Sequence, residues 1–600
     1  MSQQDKVTFF QERRQYFERK YQKKRNQSFR LGWVRVLSFL AMAILLYFLM
    51  KDRETSWAIY SLILYLPVFG QLVNLHNKKK NEANLAKHLI QINEEEVLRL
   101  ERKLKTLPDG KKYAEHEHPY SSDLDIFGTH SLFQLLNRSH FEGSRQTMAL
   151  WLNHPADHQT ILRRQQSIIE LKDDIDWCQT NMAHSYSPKA KKDEETQSLS
   201  NILSHLAQDT KVLDKKIWHV AQVILPLLAM LTLVAHFWLG IDFRWIFLPM
   251  LINVLFLRVI FAPLLNLTRN LEGITHLLSG YESFLRAIEK RAFESSLLQE
   301  LKSTINQEER ASKVIKQLKA SLHLLTNRGN LFYQVLNSLF VLDIFMLQRV
   351  KNWHKHYGHA VIHWLEAADQ VSVIADLAAF SFAHEEYRFP TVDSSDIWIQ
   401  SAEMSHPLLA CGKSVSNDFA LSGRGHLALI TGSNMSGKST FLRTLGINLV
   451  LAQMGAPVSA SSFRFTPIRL FSSMRTQDNL EESVSSFYAE IRRIKQLLDQ
   501  INEEKPTLYL LDEILKGTNT KDRHAGAIAL IEQLTAQNCI GLISTHDVEL
   551  AELINPKMIN FSFNSTLVND EILFDYKLTN GPCRSFNASA LMKKMGIIKK

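Results

Sequence analysis

The sequence predicts a multidomain α plus α/β protein with transmembrane helical hairpins, an all-α core and a C-terminal α/β domain. Three observations support this fold class. At 600 residues the chain is too long for one compact core. Its apolar residues are concentrated in two pairs of long segments, and a glycine-rich loop in the last third lies between an apolar strand and an apolar helix.

The first pair of apolar segments covers residues 31–50 and 57–75. The first segment carries a single charge, Arg35, close enough to one end to reach the membrane surface, and the second carries none. Each reaches the roughly 20 residues that a helix needs to cross a bilayer. Only six residues, 51–56, separate them, so the pair predicts a helical hairpin in a membrane.

The second pair covers residues 217–240 and 245–265. The former is uncharged apart from its histidines, and the latter contains Arg258. Together they predict a second transmembrane hairpin. The alternative for either pair is a set of buried helices in a soluble bundle.

Basic residues flank the predicted spans and indicate their orientation, because Lys and Arg are retained on the cytoplasmic side. These residues are Arg13, Arg14, Arg19, Lys20, Lys23, Lys24, Arg25, Arg30, Lys78, Lys79, Lys80, Lys215, Lys216 and Arg269. Four crossings then place the C-terminal half in the cytoplasm, at a membrane of the bacterial inner-membrane type. The net charge of +9 is alternatively typical of a nucleic-acid partner.

The glycine-rich loop matches the pattern G-x-x-x-x-G-K-S/T and follows an apolar strand at 427–430. The predicted nucleotide-contacting residues are Gly432, Ser433, Asn434, Met435, Ser436, Gly437, Lys438, Ser439 and Thr440. In such a loop, backbone N–H groups surround phosphate oxygens, the lysine contacts the terminal phosphates, and the serine after it binds Mg²⁺. The pattern therefore predicts a P-loop (ABC-type) ATPase domain with ATP and Mg²⁺ as its ligands.

Two further apolar strands end in polar residues that complete such a site. The strand at 507–511 ends in Asp512, a predicted Mg²⁺ ligand, and Glu513, predicted to polarise the attacking water. The strand at 540–544 leads to His546, predicted to sense the γ-phosphate. Parallel strands of one sheet deliver their carboxyl ends to one edge, so Lys438, Glu513 and His546 form the predicted catalytic set.

With these elements in order, the chain resembles the MutS family of DNA mismatch-repair ATPases. Gly-Ser-Asn-Met-Ser-Gly-Lys-Ser-Thr is similar to the family's phosphate loop, and Asp-Glu-Ile-Leu-Lys-Gly-Thr-Asn-Thr from residue 512 is similar to its acidic segment. In that family a serine-containing segment reaches the partner's nucleotide. The resemblance therefore implies a homodimer in which Ser485 and Ser486 complete the partner's site.

The resemblance also extends upstream, over roughly residues 124–590, and implies four regions. Residues 1–80 form a basic N-terminus with the first hairpin, and residues 81–123 a charged helical linker. Residues 124–395 form a MutS-like helical core that contains the second hairpin, and residues 396–600 form the ATPase domain.

Departures from the family concern DNA. No counterpart of the family's mismatch-reading domain occurs in residues 1–123, and the second hairpin stands where soluble relatives insert a DNA clamp. Ser414 stands where many relatives carry an aromatic residue that stacks on adenine. Two hypotheses remain: a membrane-anchored dimer whose ATP-dependent closure is linked to mismatched DNA and its repair, or an ATP-driven machine that acts on protein or membrane partners without DNA.

Overall fold

The computed structural model is mostly helical, with two mixed sheets in the C-terminal region, as the sequence predicts at this level. It describes residues 3–52, 54–115, 117–186, 215–259, 271–307, 309–326, 328, 330–393, 398–410, 412–474, 486–501, 505–516, 518–568 and 571–583.

The first two helices form one long antiparallel hairpin. Helix α1 (Gln3–Lys51) has 49 residues and α2 (Thr55–Leu100) has 46. Lys24 and Glu82 form an ion pair at 2.5 Å, and Ser38 and Tyr65 form a hydrogen bond at 3.2 Å nearer the tip. Both helices contain a segment long and apolar enough to cross a membrane, of which only 6% is buried. An exposed apolar surface of this size is typical of a contact with a membrane or with another protein.

The open end of this hairpin packs on other helices. Phe10 of α1, Leu100 of α2 and Ala383 form one buried cluster. The Lys6 ammonium is buried and lies 2.7 Å from a carboxylate oxygen of Glu385. The charged segments on either side of the apolar tip are therefore continuous helix, and they join the tip rigidly to the helices that follow.

The helical region consists of α3 to α6 and α9 to α13. Their bounds are Leu132–Leu136, Glu142–Asn153, His158–Lys172 and Ile175–Ser185 for α3 to α6, and Leu271–Lys290, Ser296–Ile305, Ala311–Thr326, Leu331–Phe340 and Leu342–Ala383 for α9 to α13. The side chains of Asp157 and Asp174 accept hydrogen bonds from the backbone N–H groups of Thr160 and Trp177, in the first turns of α5 and α6, and so fix where these helices begin.

The second apolar hairpin leaves this helical region after residue 215. Helix α7 (Lys216–Leu239), a short 3₁₀ turn (Phe243–Ile246) and α8 (Phe247–Val259) form it. Within α7, residues 217–236 are long and apolar enough to cross a membrane. The predicted fourth span extends to residue 265, and its last residues lie outside the described ones.

Helix α12 packs at the base of the second hairpin. The buried Asn253 side chain of α8 donates hydrogen bonds to the carbonyl oxygens of Ser338 (2.8 Å) and Leu339 (3.0 Å). These carbonyls belong to the last turn of α12, where no further helical turn is present to bond them. Asn253 therefore ties the hairpin to the end of α12.

A sharp break separates α12 from α13. Val341 adopts a left-handed conformation with φ 46°, which is unfavourable for a β-branched residue. The buried Asp343 carboxylate accepts hydrogen bonds from Tyr333 (2.9 Å) and Asn337 (2.9 Å) across the break. It also pairs with Arg328 at 2.8 Å. These contacts offset the strain at Val341.

Within its described residues, the C-terminal region contains two sheets, three α-helices and a short 3₁₀ helix (Glu549–Glu552). Strands β1 (Thr391–Val392), β5 (Ser462–Phe465), β2 (Trp398–Met404) and β3 (Asn417–Ser422) form the first sheet in this order. The second has the order β10 (Glu571–Asn580), β9 (Met558–Val568), β4 (Leu427–Gly432), β8 (Cys539–Thr545), β7 (Thr507–Asp512) and β6 (Arg469–Ser473). All its strands are parallel except β10. Helices α14 (Lys438–Met454), α15 (Ser486–Gln500) and α16 (Thr520–Thr535) complete the region.

The loop before α3 joins the helical and sheet regions. Asp123 accepts a hydrogen bond from the Ser472 hydroxyl at 2.7 Å. The Leu124 side chain packs closely on Gly446 of α14: a Cβ added to this glycine would lie 2.8 Å from the leucine methyl carbons. Asp125 pairs with Arg443 of the same helix at 3.7 Å. A movement of α14 would therefore be transmitted to the helical region.

Candidate functional site

The second sheet brings three polar loops to one edge. Strand β8 lies between β4 and β7, with Thr431 of β4 opposite Thr545 and Asp512 of β7 opposite Ser544. The three strands are parallel, so the loops that follow them leave at the same end. The glycine-rich loop, the acid pair and His546 are thus neighbours.

The glycine-rich loop turns directly into α14. Gly437 has φ 106°, a left-handed conformation that side chains disfavour, and it precedes the first residue of the helix. Met435 at the tip also has a left-handed φ, of 68°, and is 81% exposed. Asn434 and Thr440 are exposed and Ser439 is half-buried in the first helical turn. The N–H groups of that turn face the loop, as phosphate binding requires.

Lys438 is buried beneath this loop. Its ammonium donates hydrogen bonds to the carbonyl oxygens of Gly432 (2.9 Å) and Ser433 (3.0 Å). Burial lowers the pKa of Lys438, and the carboxylates of Glu513 and Asp512 oppose that shift. The ammonium thus lies within the electrostatic reach of the acid pair.

The loop offers unused polar atoms to a ligand. Among the described residues, the hydroxyl oxygens of Ser433 and Ser436 are buried without a hydrogen-bond partner. A Cβ on Gly432 would approach the Phe563 carbonyl and the Ser436 hydroxyl to 2.8 Å, so the loop is closely packed from below. Unpaired buried hydroxyls are costly, and phosphate oxygens would satisfy them. The residues present fit a nucleoside triphosphate.

Glu513 is held between the side chains of His546 and Lys516. One carboxylate oxygen lies 2.6 Å from Nε2 of His546 and the other 3.0 Å from the Lys516 ammonium. The hydrogen bond from His546, ahead of that from Lys516, lowers the pKa of Glu513 to about 2. Glu513 is therefore ionised at neutral pH. The neighbouring Asp512 accepts a hydrogen bond from the Ser544 hydroxyl, which orients its carboxylate.

The turn after Glu513 is strained and has its own support. Glu513 and Leu515 both have left-handed φ angles, of 55° and 58°, a conformation that costs on the order of 1 kcal/mol for each such residue. The Glu490 carboxylate of α15 accepts the N–H groups of Leu515 and Lys516, the latter at 3.1 Å. Glu490 therefore supports the backbone that carries Glu513.

A second contact braces the loop that carries His546. His524 of α16 lies 2.9 Å from a carboxylate oxygen of Asp547 through Nδ1. The Asp547 N–H donates to the Thr545 hydroxyl at 2.9 Å. Through Asp547, the loop that carries His546 is therefore tied to α16 and to the end of β8.

Tyr576 reaches the glycine-rich loop from β10. A Cβ on Gly437 would lie 3.1 Å from Cδ1 of the tyrosine ring, which is 45% exposed. Its backbone has φ 54° and is fixed by Asn417, which donates to the Tyr576 carbonyl at 3.0 Å. The Ser414 hydroxyl, in contrast, accepts a hydrogen bond from the His406 N–H at 2.9 Å and so stabilises the loop between β2 and β3.

The segment predicted to reach a partner's nucleotide is only partly described. Ser485 lies outside the described residues, and Ser486 is the first residue of α15. Because Glu490 of the same helix bonds the turn after Glu513, the start of α15 lies at the rim of the site.

Comparison with known proteins agrees with this site. Residues 428–596 match the family described as MutS domain V. The chain is 33% identical over 247 residues to the DNA mismatch repair protein MutS of Sorangium cellulosum, covering 40% of this chain and 26% of that protein. It is 30% identical over 239 residues to MutS protein homolog 4 of Mus musculus, covering 38% and 24%.

Another relative gives a higher identity over a shorter stretch. The MutS of Desulfovibrio desulfuricans is 41% identical over 174 residues, which cover 28% of this chain and 19% of that protein. The chain thus spans about a quarter or less of the length of these curated relatives. The similarity lies in the C-terminal part, and that part is a MutS-family domain.

Proposed function

We propose that this chain is a membrane-anchored ATPase of the MutS type, with a P-loop ATPase domain at residues 396–600. One observation carries the proposal. The Lys438 loop lies at the same edge of a parallel sheet as Glu513 and His546, whose side chains are 2.6 Å apart. Phosphate binding and water activation need these groups at one site.

In the proposed reaction, each group has a separate role. Lys438 leaves the carbonyls of its own loop and binds the β- and γ-phosphates of ATP. Glu513, ionised because of its low pKa, orients the attacking water and accepts its proton. His546 contacts the γ-phosphate side of the site. Ser439 and Asp512 are the residues that would hold Mg²⁺, which neutralises phosphate charge when bound.

Tyr576 is the proposed contact for the base. Its exposed ring lies against Gly437 at the rim of the phosphate loop, and an aromatic face there can stack on adenine. It would take the part that the aromatic residue near position 414 plays in relatives.

We expect Glu490→Gln to slow ATP hydrolysis without weakening ATP binding. Glutamine has a single acceptor oxygen, so one of the two N–H groups of the strained turn after Glu513 loses its partner. Misplacement of Glu513 would lower kcat roughly ten- to hundred-fold. Steady-state kinetics should show KM for ATP within about two-fold of the parent protein, consistent with a positioning role. A matched variant, Glu532→Gln on the exposed face of α16, should change neither constant. An equal decrease of kcat in Glu490→Gln and Glu532→Gln would contradict this role of Glu490.

The active form is proposed to be a homodimer, with Ser485 and Ser486 completing the partner's site. Amine-reactive cross-linking of the full chain in detergent should trap dimers with ATP and few without it. An enzyme that is active while strictly monomeric would refute the assignment of Ser485 and Ser486.

The proposed organisation follows the four regions given by the sequence. Residues 1–80 carry the first hairpin and 81–123 the linker, while 124–395 form the helical core with the second hairpin. The apolar, largely exposed tips support insertion of both hairpins. The ATPase domain would then lie in the cytoplasm of a cell with a bacterial-type inner membrane.

Two processes are candidates for what ATP hydrolysis drives in this protein. The relatives are named for DNA mismatch repair, which favours closure of the dimer on mismatched DNA. The apolar hairpins favour action on a membrane or protein partner without DNA. Duplex and mismatched DNA should be added to the solubilised protein during ATP turnover. Because coupling between two binding sites is reciprocal, DNA that neither binds nor changes the turnover would leave the second candidate.

A further inference from the structure

A groove between α11 and α13 is lined by polar side chains together with the buried Trp353. It has a volume of about 300 Å³, and its lining includes Gln317 and Ser321 of α11 with Arg349, Asn352, His356 and Tyr357 of α13. The α13 residues recur every three or four positions, so they share one face of the helix. Arg349, Asn352 and His356 are exposed.

The surface around this groove is strongly basic. Residues 344–365 of α13 include no Asp or Glu, and neither do residues 311–326 of α11. Lys313 and Lys319 of α11 pair with Glu309 and Glu282. Within the described residues, Lys316, Arg349 and Lys355 have no carboxylate partner. A cavity lined by an uncompensated guanidinium and two side-chain amide groups is suited to an anion.

The groove lies at the base of the second hairpin. Gln348, next to Arg349, is 3.5 Å from Nε2 of His219 in the first turn of α7. The next residue toward the start of α7, Trp218, packs on Phe256 of α8 with ring centroids 5.6 Å apart. From Gln348 to His356 the helix rises by about 12 Å. The groove therefore begins, at Arg349, where the apolar part of the hairpin ends, which is the level of the lipid headgroups for an inserted hairpin.

We propose that this groove binds the phosphate of an anionic phospholipid headgroup. Arg349 donates to the phosphate oxygens, while the side-chain amide groups of Gln317 and Asn352 supply further donors. The inference rests on the proposed membrane insertion of the second hairpin. The groove has room for one headgroup, whereas stable binding to a DNA backbone uses several phosphate contacts in a row.

The test uses the full chain in nonionic detergent and measures binding of phosphatidylglycerol and phosphatidylcholine by native mass spectrometry. Phosphatidylglycerol should bind more tightly, and Arg349→Gln should weaken it about five-fold, since one surface cation contributes about that much to anionic-lipid binding. Binding of phosphatidylcholine should not change.

Lys103→Gln is the matched control, because Lys103 is exposed and follows α2, whose end packs against Ala383 at the far end of α13. It should leave both affinities unchanged. Unaltered phosphatidylglycerol binding in Arg349→Gln would overturn the proposal. So would a five-fold loss of affinity for duplex DNA alone, which would make the groove a nucleic-acid contact. ATP hydrolysis by the same preparations is read separately, so failure of the ATPase proposal is distinguished from failure of this one.

Discussion

Glu513→Gln should retain ATP binding and lose ATP hydrolysis by at least about 100-fold, the contribution typical of a positioned general base. Glutamine keeps the size of the side chain, but it cannot accept a proton from water. It also loses the charge that His546 and Lys516 hold in place. Turnover of ATP and equilibrium binding of a labelled nucleotide, measured on the same protein, separate these two effects.

Glu532→Gln provides the control for that experiment, since Glu532 is exposed on α16. It should hydrolyse ATP at the parent rate. Hydrolysis by Glu513→Gln at the parent rate would remove Glu513 from the mechanism, and loss of nucleotide binding would indicate a structural role instead.

Asp369→Asn should stabilise the protein, and the gain should grow as pH rises. Asp369 is buried in the helical region, where it accepts hydrogen bonds from Ser144 (2.7 Å) and Tyr281 (3.0 Å). Burial raises its pKa to about 7, whereas an unfolded aspartate titrates near about 4. The folded state therefore binds the extra proton between these values, and stability falls as pH rises through that window. Above about pH 7, the charged Asp369 carboxylate lowers the free energy of unfolding by about 4 kcal/mol.

The asparagine oxygen can accept the same two hydrogen bonds without a charge. The melting temperature of Asp369→Asn in detergent should exceed that of the parent at pH 8, and more than half of the stability gain should be lost at pH 5. Asp499→Asn, an exposed change on α15 with an ion-pair partner in Lys495, should show neither effect. A gain independent of pH would contradict the raised pKa.

Sequence patterns were sufficient where one local motif determines the structure. The uncharged run 217–240 predicted an apolar helix because only a helix satisfies the backbone hydrogen bonds of a membrane segment within that segment. The strand, loop and helix around Lys438 followed from glycine spacing and apolar flanks. The sequence also predicted that the polar residues after β4, β8 and β7 meet at one sheet edge, because parallel strands end on the same side. The register of Asp512 with Ser544 agrees.

Features that depend on distant contacts could not be read in this way. Tyr576 lies far from Gly437 in sequence, and no motif marks it. Glu490 stabilises a turn on another element, so its role becomes visible only with the fold. The break at Val341 lies inside a mostly apolar run, and it is fixed by Asp343, Tyr333 and Asn337 through tertiary contacts. Local propensity alone would have continued the helix.

The central claim is that a MutS-type ATPase site is carried on a membrane-inserted chain. It is tested most directly by assaying ATP hydrolysis in cell membranes washed with alkaline carbonate, which removes proteins that are not inserted. We predict that Mg²⁺-dependent ATP hydrolysis stays with the washed membranes for the parent chain and is lost with Glu513→Gln. Release of the chain into the carbonate supernatant, or equal hydrolysis by both chains, would contradict the account.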